Sequence, residues 1–448
     1  GSGAICLLGV RNRRLFGTFY PTKFTEFMES LLVHGGSTLE GTISISGSKN
    51  SSLPILAATL LTKETCTIRR VPDLSDTNYM VQILGLLGAD VERASGTVEI
   101  TAESIHSIAP YDLVRKMRAS VCVLGPLTGR LGEANVSLPG GCVIGDRPID
   151  LHLKGLEALG ADVKVVGGDV LIRAKFGLQG DTVNMRGKSG TTVLGTDNIL
   201  MAAVLANGRT IIEGAAAEPE VVDLANFLNK MGAKIEGAGT PRIEITGVKE
   251  LHGAEHTVIP DRIEAGTFLV AGAMAGKNVT LQRVNADHLR PVIEALRISG
   301  HSIDDSAGDT ITVSRGGAPM GHKIVTEPHP GFPTDMQAQM CALYATTPGT
   351  SIVTDTVFPS RFMHVAELNR MGADIKMDDA TAIINGVEQL SGADVMASDL
   401  RASAALVLAG LTAKGLTRVH RLYHIDRGYE HIDDKLTALG AKLERRKD

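Results

Sequence analysis

One stretch of this chain, Leu138 to His152 (LPGGCVIGDRPIDLH), places a thiol and charged side chains on a segment that cannot be regular structure. Pro139, Gly140 and Gly141 break helix and strand alike, and paired glycines let a backbone turn sharply and approach a ligand closely. Cys142 sits at the tip of that break. Arg147 and Pro148 lie on its exit, and Asp150 and His152 stand where a helical pattern begins. A free cysteine is most often a small apolar filler of a core. A thiol on a glycine-rich loop beside an arginine is instead the electropositive, partly exposed setting in which thiols react.

Other candidates cluster at two kinds of position. Lys49 with Asn50, Arg118, Asp335, and Asp399 with Arg401 stand at expected helix N-termini, where unpaired N–H groups favour anions; Arg361 and Arg427 stand on loops. Singly, each reads as a cap or a solvated charge. Together, four or five cations and two carboxylates around one cleft fit a ligand carrying both phosphate and carboxylate groups, because a planar guanidinium recognises either in bidentate fashion. The histidines are scattered; His329 in EPHPGFPTD is the one expected nearest the site, and a turn histidine satisfied by backbone is its plainer reading. No metal-ligand constellation, phosphate-binding glycine loop or dinucleotide fingerprint is present, so no cofactor and no metal are expected.

Composition narrows the class. The formal net charge of −5 argues against a broad nucleic-acid or anionic-membrane surface, and no apolar run reaches a membrane span. Five cysteines, at 6, 66, 122, 142 and 341, lack paired spacing, which argues against a disulfide framework and for a reducing, cytoplasmic compartment. At 448 residues the chain predicts two domains.

The elements that must position these groups come from a repeat. A helix stop followed by a hairpin recurs at Gly88, Gly160, Gly232, Gly300, Gly372 and Gly440, spaced 72, 72, 68, 72 and 68 residues apart. Between these hairpins lies a second helix in every copy, for example KNSSLPILAATLL from Lys49 and SDLRASAALVLAGL from Ser398. Past their first turns these helices are small and aliphatic all round, so they should be buried on every side with their polar residues crowded at the N-termini. Each unit then reads β-α-β-α-β-β, helices inside and sheets outside, three units to a domain. Residues 48–259 are expected to form the first domain, carrying the Cys142 loop, and 37–47 plus 260–448 the second. Residues 1–36 are expected to be a flexible extension, and Thr38 to Ser46 to supply the strand that completes the last unit.

GSKNSSLP, MRAS, LPGGCVIGDRPIDLHL, AEPEVVDLANFL, PDRIEAGTF, PHPGFPTDMQAQ, FPSRFMHV, SDLRASAALVLAG and HIDRGYEHIDDKL together strongly resemble the UDP-N-acetylglucosamine 1-carboxyvinyltransferase family of enolpyruvyl transferases, from about Thr38 to the C-terminus. The resemblance implies an inside-out α/β barrel of six units. It implies phosphoenolpyruvate and UDP-N-acetylglucosamine as substrates, enolpyruvyl transfer with release of phosphate, and a place at the first committed step of peptidoglycan precursor synthesis. Carried onto matching positions, Lys49, Asn50, Cys142, Arg147 and Arg427 would hold phosphoenolpyruvate. Asn50, Arg118, Arg147, Pro148, Ile149, Asp150, Leu151, Lys188, Thr192, Asp335 and Val357 would line the sugar-nucleotide site, with Arg361 and Arg401 at the cleft. Cys142 would be the proton donor that can also add to phosphoenolpyruvate and to fosfomycin; Lys49, Asp335, Asp399 and Arg427 complete the expected catalytic set. The reaction needs an acid for C3 of the enol ether and a base for the 3′-hydroxyl, roles expected of Cys142 and Asp335.

Three departures stand out. The run Gly187 to Leu194 is about two residues longer than the family loop, which bears on Lys188 and Thr192; Ala217 replaces an arginine often found before the Glu218-Pro219-Glu220 run; and residues 1–36 have no family counterpart. Two other readings stay open. One is 5-enolpyruvylshikimate-3-phosphate synthase, which shares the fold and the donor but carries an arginine after its first Lys-Ser pair, where this chain has KNSSLP. The other is a repeat scaffold that binds a sugar nucleotide without turnover.

Overall fold

The computed structural model describes residues 29–109, 111–114, 117–138, 149–187 and 190–447. Cys142, Arg147, Pro148 and Lys188 fall outside that set. The described chain forms six four-stranded sheets, and each joins a parallel pair to an antiparallel pair. In one, Ile108–Ala109 runs parallel to Glu133–Ser137, which pairs antiparallel with Asp169–Arg173, itself antiparallel to Asp162–Val166. Such strands bury alternate residues, here Val170 and Ile172, against the helices beneath, which is the period-two pattern of a sheet wet on one side.

The second helix of each unit is interior. Lys49–Ala58 is buried from Ser51 onward, Arg262–Ala275 from Ile263 to Met274, and Leu400–Thr412 from Arg401 to Leu411. By contrast, Arg290–Ile298 buries only Val292, Ile293, Ala295 and Leu296, as an amphipathic surface helix should. Interior helices without bulky side chains can approach closely. A Cβ on Gly125 would stand 2.2 Å from the Asn198 carbonyl oxygen, so the glycine is what lets Leu124–Leu131 lie against Val193–Ala203. Each surface helix stops at the repeated glycine, where φ lies between 89° and 104°, a left-handed conformation that only glycine adopts cheaply. Helices inside and sheets outside make this the inside-out α/β barrel of six repeats.

The apolar interior divides in two. One cluster runs from Leu53 to Val258; the other takes Leu31 to Ile45 together with Ile263 to Ala441. Two chain segments cross between them side by side: Gly47 bridges Pro260, the Ser48 N–H donates to the Ile259 carbonyl at 2.8 Å, and the Asp261 N–H to the Ser46 carbonyl at 2.9 Å.

Two expectations about the N-terminal region are corrected. Residues 29–34 are not part of a flexible extension: Glu29–His34 is a strand whose Leu31, Leu32 and Val33 are buried. It sits between Leu416–His420 and Lys442–Lys447, antiparallel to both, so it and not Thr38–Ser46 completes the last unit. Leu39–Ser44 instead runs parallel to Gly276–Gln282 in the fourth unit. The physical reason is an unpaired ladder. The position between Leu416–His420 and Lys442–Lys447 needs a strand, and the aliphatic Leu31-Leu32-Val33 segment, far away in sequence, fills it. Among the described residues, no helix is long and apolar enough to cross a membrane.

Candidate active site

The helix Lys49–Ala58 begins with Ser48 as N-cap, its Oγ accepting the Ser51 N–H at 3.3 Å. The Lys49 N–H donates to Asp261 Oδ2 at 3.1 Å, while Asp261 Oδ1 caps the helix Arg262–Ala275 by accepting from Ile263 and Glu264, both at 2.9 Å. Asp223 accepts from the Ser51 hydroxyl and the Ile259 N–H, and its other oxygen meets His256 Nε2 at 2.8 Å. One carboxylate from each core thus fixes the first turn and places the Lys49 side chain. Pro54 has no N–H, so the carbonyl of Asn50 one turn back has no helical donor.

Lys49 Nζ lies 3.2 Å from Asp76 Oδ2, and Arg427 Nε lies 3.0 Å from Asp76 Oδ1. Two cations from opposite ends of the chain therefore share one buried carboxylate. Burial lowers the Lys49 pKa below its usual value, opposed by Asp76 and reinforced by Arg401 and Arg427.

A second anion gathers two more cations. Asp335 lies in the 3₁₀ turn Thr334–Met336 that leads into the buried helix Gln337–Tyr344. Its Oδ1 accepts from Arg361 Nη1 at 2.7 Å, and its Oδ2 from Arg401 Nε and Nη2 at 3.2 and 3.0 Å. The arginines are almost wholly buried, whereas a quarter of the Asp335 side chain is open. Arg401 also lies over the Tyr429 ring, 5.3 Å from its centroid. Burial would raise the Asp335 pKa, but Arg401, Arg361 and Lys49 outweigh it and hold the carboxyl well below the usual carboxylate range.

Asp399, expected among the catalytic groups, is the N-cap of Leu400–Thr412: its Oδ1 accepts from the Arg401 and Ala402 N–H groups at 2.7 and 3.0 Å. Its observed work is to aim Arg401. Of the expected sugar-nucleotide residues, Thr192 caps Val193–Ala203 by accepting the Gly195 N–H at 3.2 Å, and Ile149 precedes the helix Asp150–Ala158. Leu151 packs against Gly187, and Asp150 faces outward near Lys154 at 3.4 Å. Arg118 opens the 3₁₀ helix Arg118–Val123; burial first, then its charge, holds His152 down to about 4. Val357 donates its N–H to Asp355 Oδ1 at 3.0 Å. His329 donates its backbone N–H to Glu218 Oε1 at 3.4 Å.

Sequence reading missed Asp76, because LSDTN at the head of a surface helix looks like ordinary capping chemistry. It also missed a buried acidic group behind the site. Asp197 is wholly buried, and among the described residues neither of its carboxylate oxygens has a hydrogen-bond partner; Glu218 and Glu220 lie near it, and Arg262 Nε meets Glu220 at 2.9 Å. Among the described residues no group of side chains could hold a metal ion.

Residues 33–436 match the family described as EPSP synthase (3-phosphoshikimate 1-carboxyvinyltransferase). The chain is 63% identical to the UDP-N-acetylglucosamine 1-carboxyvinyltransferase of Akkermansia muciniphila and 60% to that of Methylacidiphilum infernorum, over 94% and 93% of this chain and 99% of each relative. In fold it is similar to the enolpyruvyl transferase NikO from Streptomyces tendae, with TM-score 0.85 and 26% identity over 94% of this chain and 99% of that one. EPSP synthase from Acinetobacter baumannii shares the fold at TM-score 0.74 and 18% identity, over 93% of this chain and all of the other. The chain belongs to the UDP-N-acetylglucosamine 1-carboxyvinyltransferase family of enolpyruvyl transferases.

Proposed function

We propose that this protein transfers the enolpyruvyl group of phosphoenolpyruvate to the 3′-hydroxyl of UDP-N-acetylglucosamine and releases phosphate, in the cytoplasm, with neither cofactor nor metal. The observation that carries this reading is the meeting of Lys49 and Arg427 on one buried carboxylate. Two cations spaced to share a carboxylate are spaced to share a phosphate.

On this reading, residues 48–259 and 37–47 plus 260–448, the latter joined by the strand Glu29–His34, are two lobes that close on the substrates. Lys49 and Arg427 then hold the phosphoryl group from either side, and their charge stabilises the phosphate as it departs. Asp335 accepts the hydrogen bond of the attacking hydroxyl. Its low proton affinity makes it an acceptor that takes the proton only late, as C–O bond formation makes the hydroxyl acidic. Cys142 supplies the proton to C3, and fosfomycin adds to the same thiol. With Arg147, the run Pro148 to Leu151, Arg118, Thr192, Lys188 and Val357 receive the nucleotide.

Phosphate release from phosphoenolpyruvate is the test, run with UDP-N-acetylglucosamine and separately with shikimate 3-phosphate. Release with the first acceptor alone is expected. Release with the second alone would make the protein an EPSP synthase, and release with neither would leave a non-catalytic binding scaffold.

A further inference from the structure

We infer that Asp76 is a placeholder anion, which keeps Lys49 and Arg427 together until a phosphate takes them over and reclaims them when phosphate must leave. The inference rests on the phosphate-site reading above and adds a positioning residue to it. Asp76 is 2% exposed and divides its two oxygens between two cations that lie 378 residues apart in the chain, one just after the first crossing between the cores and one near the C-terminus.

The carboxylate is also held where it is. It stands in the first turn of Ser75–Leu86, where Thr77 Oγ1 accepts the Leu74 N–H at 3.2 Å and donates to the Pro72 carbonyl at 2.7 Å. Arg93 clamps the same turn by donating to the Pro72 carbonyl at 2.7 Å and to Asn78 at 2.6 Å. Across the crossing, the Asp73 N–H donates to Glu430 Oε1 at 2.7 Å, docking the segment that carries Arg427 onto this helix start. Between Arg427 and Glu430, Tyr429 is buried, its hydroxyl 2.8 Å from that of Thr267.

On a turn so anchored, a carboxylate that is itself buried stays beside the site when a phosphate arrives. Its charge stays beside the site and repels the newcomer, while the doubly charged phosphate, with more acceptor oxygens, competes for the same donors. Asp76 therefore trades affinity for turnover: it weakens phosphate binding and speeds phosphate release.

That assignment fixes the sign of the mutational effect. In the full chain, Asp76→Asn should bind inorganic phosphate on the order of tenfold more tightly by calorimetry. Inorganic phosphate should inhibit turnover at correspondingly lower concentration, the KM for phosphoenolpyruvate should fall, and kcat should fall with slower release. Asp76→Ser, also neutral, should move each quantity the same way and decides the matter if the Asn variant does not fold; Asp76→Glu should stay near the parent protein. A carboxylate that merely braces the two cations predicts the opposite sign, so unchanged or weaker phosphate binding in the neutral variants overturns the proposal. If the unaltered protein binds neither inorganic phosphate nor phosphoenolpyruvate, the functional reading falls first and the proposal with it.

Discussion

Replacing Asp335 by asparagine separates chemistry from charge balance at this site. The substitution keeps the shape of the side chain but removes an anion bonded to both Arg361 and Arg401. Loss of a proton acceptor costs about 10²- to 10⁴-fold in kcat, or roughly 3 to 5 kcal/mol of barrier. Loss of the counter-ion costs stability separately, because both guanidiniums are buried, and stripping the partner from a buried pair is worth roughly 3–5 kcal/mol. Asparagine retains a carbonyl acceptor, which places the expected loss near the lower bound. The single variant should therefore be both slower and less stable, with KM for UDP-N-acetylglucosamine changed less than kcat.

The double variant Asp335→Asn/Arg361→Gln tells the two costs apart. Removing one stranded cation should recover about 1–2 kcal/mol of stability through coupling between contacting residues, and none of the activity. The assays are chemical denaturation and phosphate release at saturating substrates. Recovery of kcat in the double variant, or a single variant within about threefold of the parent in kcat, would refute the role given to Asp335. A further check follows from the pKa direction: any acid limb of the kcat profile due to Asp335 should lie below the ordinary carboxylate value of 3.8.

Asp197→Asn should stabilise the protein. Burial, then Glu220 and Glu218, raises the Asp197 pKa well above 3.8, so its contribution is full below the unfolded value and is lost as pH rises through the folded one; the gain in Tm should thus be larger at pH 8 than at pH 5. Lys49 titrates below 10.5, so the KM for phosphoenolpyruvate should climb on the alkaline side before a free lysine would begin to lose its charge. Alkylation of the native protein near pH 7.5 should spare Cys66, Cys122 and Cys341, whose thiols are buried and pushed up, to about 11 for Cys66, and intact mass with fosfomycin should show an adduct at Cys142. Deleting residues 1–34, compared with deleting 1–28, should lower stability by several kcal/mol, since burying Leu31, Leu32 and Val33 is worth roughly 1.5–3 kcal/mol each.

What could be read from the sequence was whatever repeats or whatever is local. The six glycines announced six helix stops because a left-handed residue after a helix is a local requirement, visible as a spacing. The burial of Arg262–Ala275 and Leu400–Thr412 was legible because no polar face interrupts them. The strand Glu29–His34 was not, since its partners lie near residues 416 and 442 and nothing local says that the last sheet lacks a member. Asp335 could be nominated by type, but that Arg361 from a loop and Arg401 from the first turn of a helix hold it as an anion is a fact of tertiary placement. Asp399 was nominated for chemistry because a helix cap and a catalytic acid use the same residue type, and its hydrogen bonds are those of a cap.

Asp76 and Asp335 obey one electrostatic logic. Each is a carboxylate flanked by two cations, so the site holds two anions against Lys49, Arg427, Arg361 and Arg401. An array of bare cations would repel itself, and buried charge without a partner is costly, so a fold that must present positive charge to phosphate needs anions of its own to assemble first. The two anions then differ in exposure. Asp76 is shut in at 2%, while a quarter of the Asp335 side chain is open. The closed one can only compete with a ligand for its cations. The open one can meet a ligand hydroxyl without giving up its own. Among these six side chains the cations outnumber the anions, and that local excess lets them draw in anionic groups although the chain as a whole is negative.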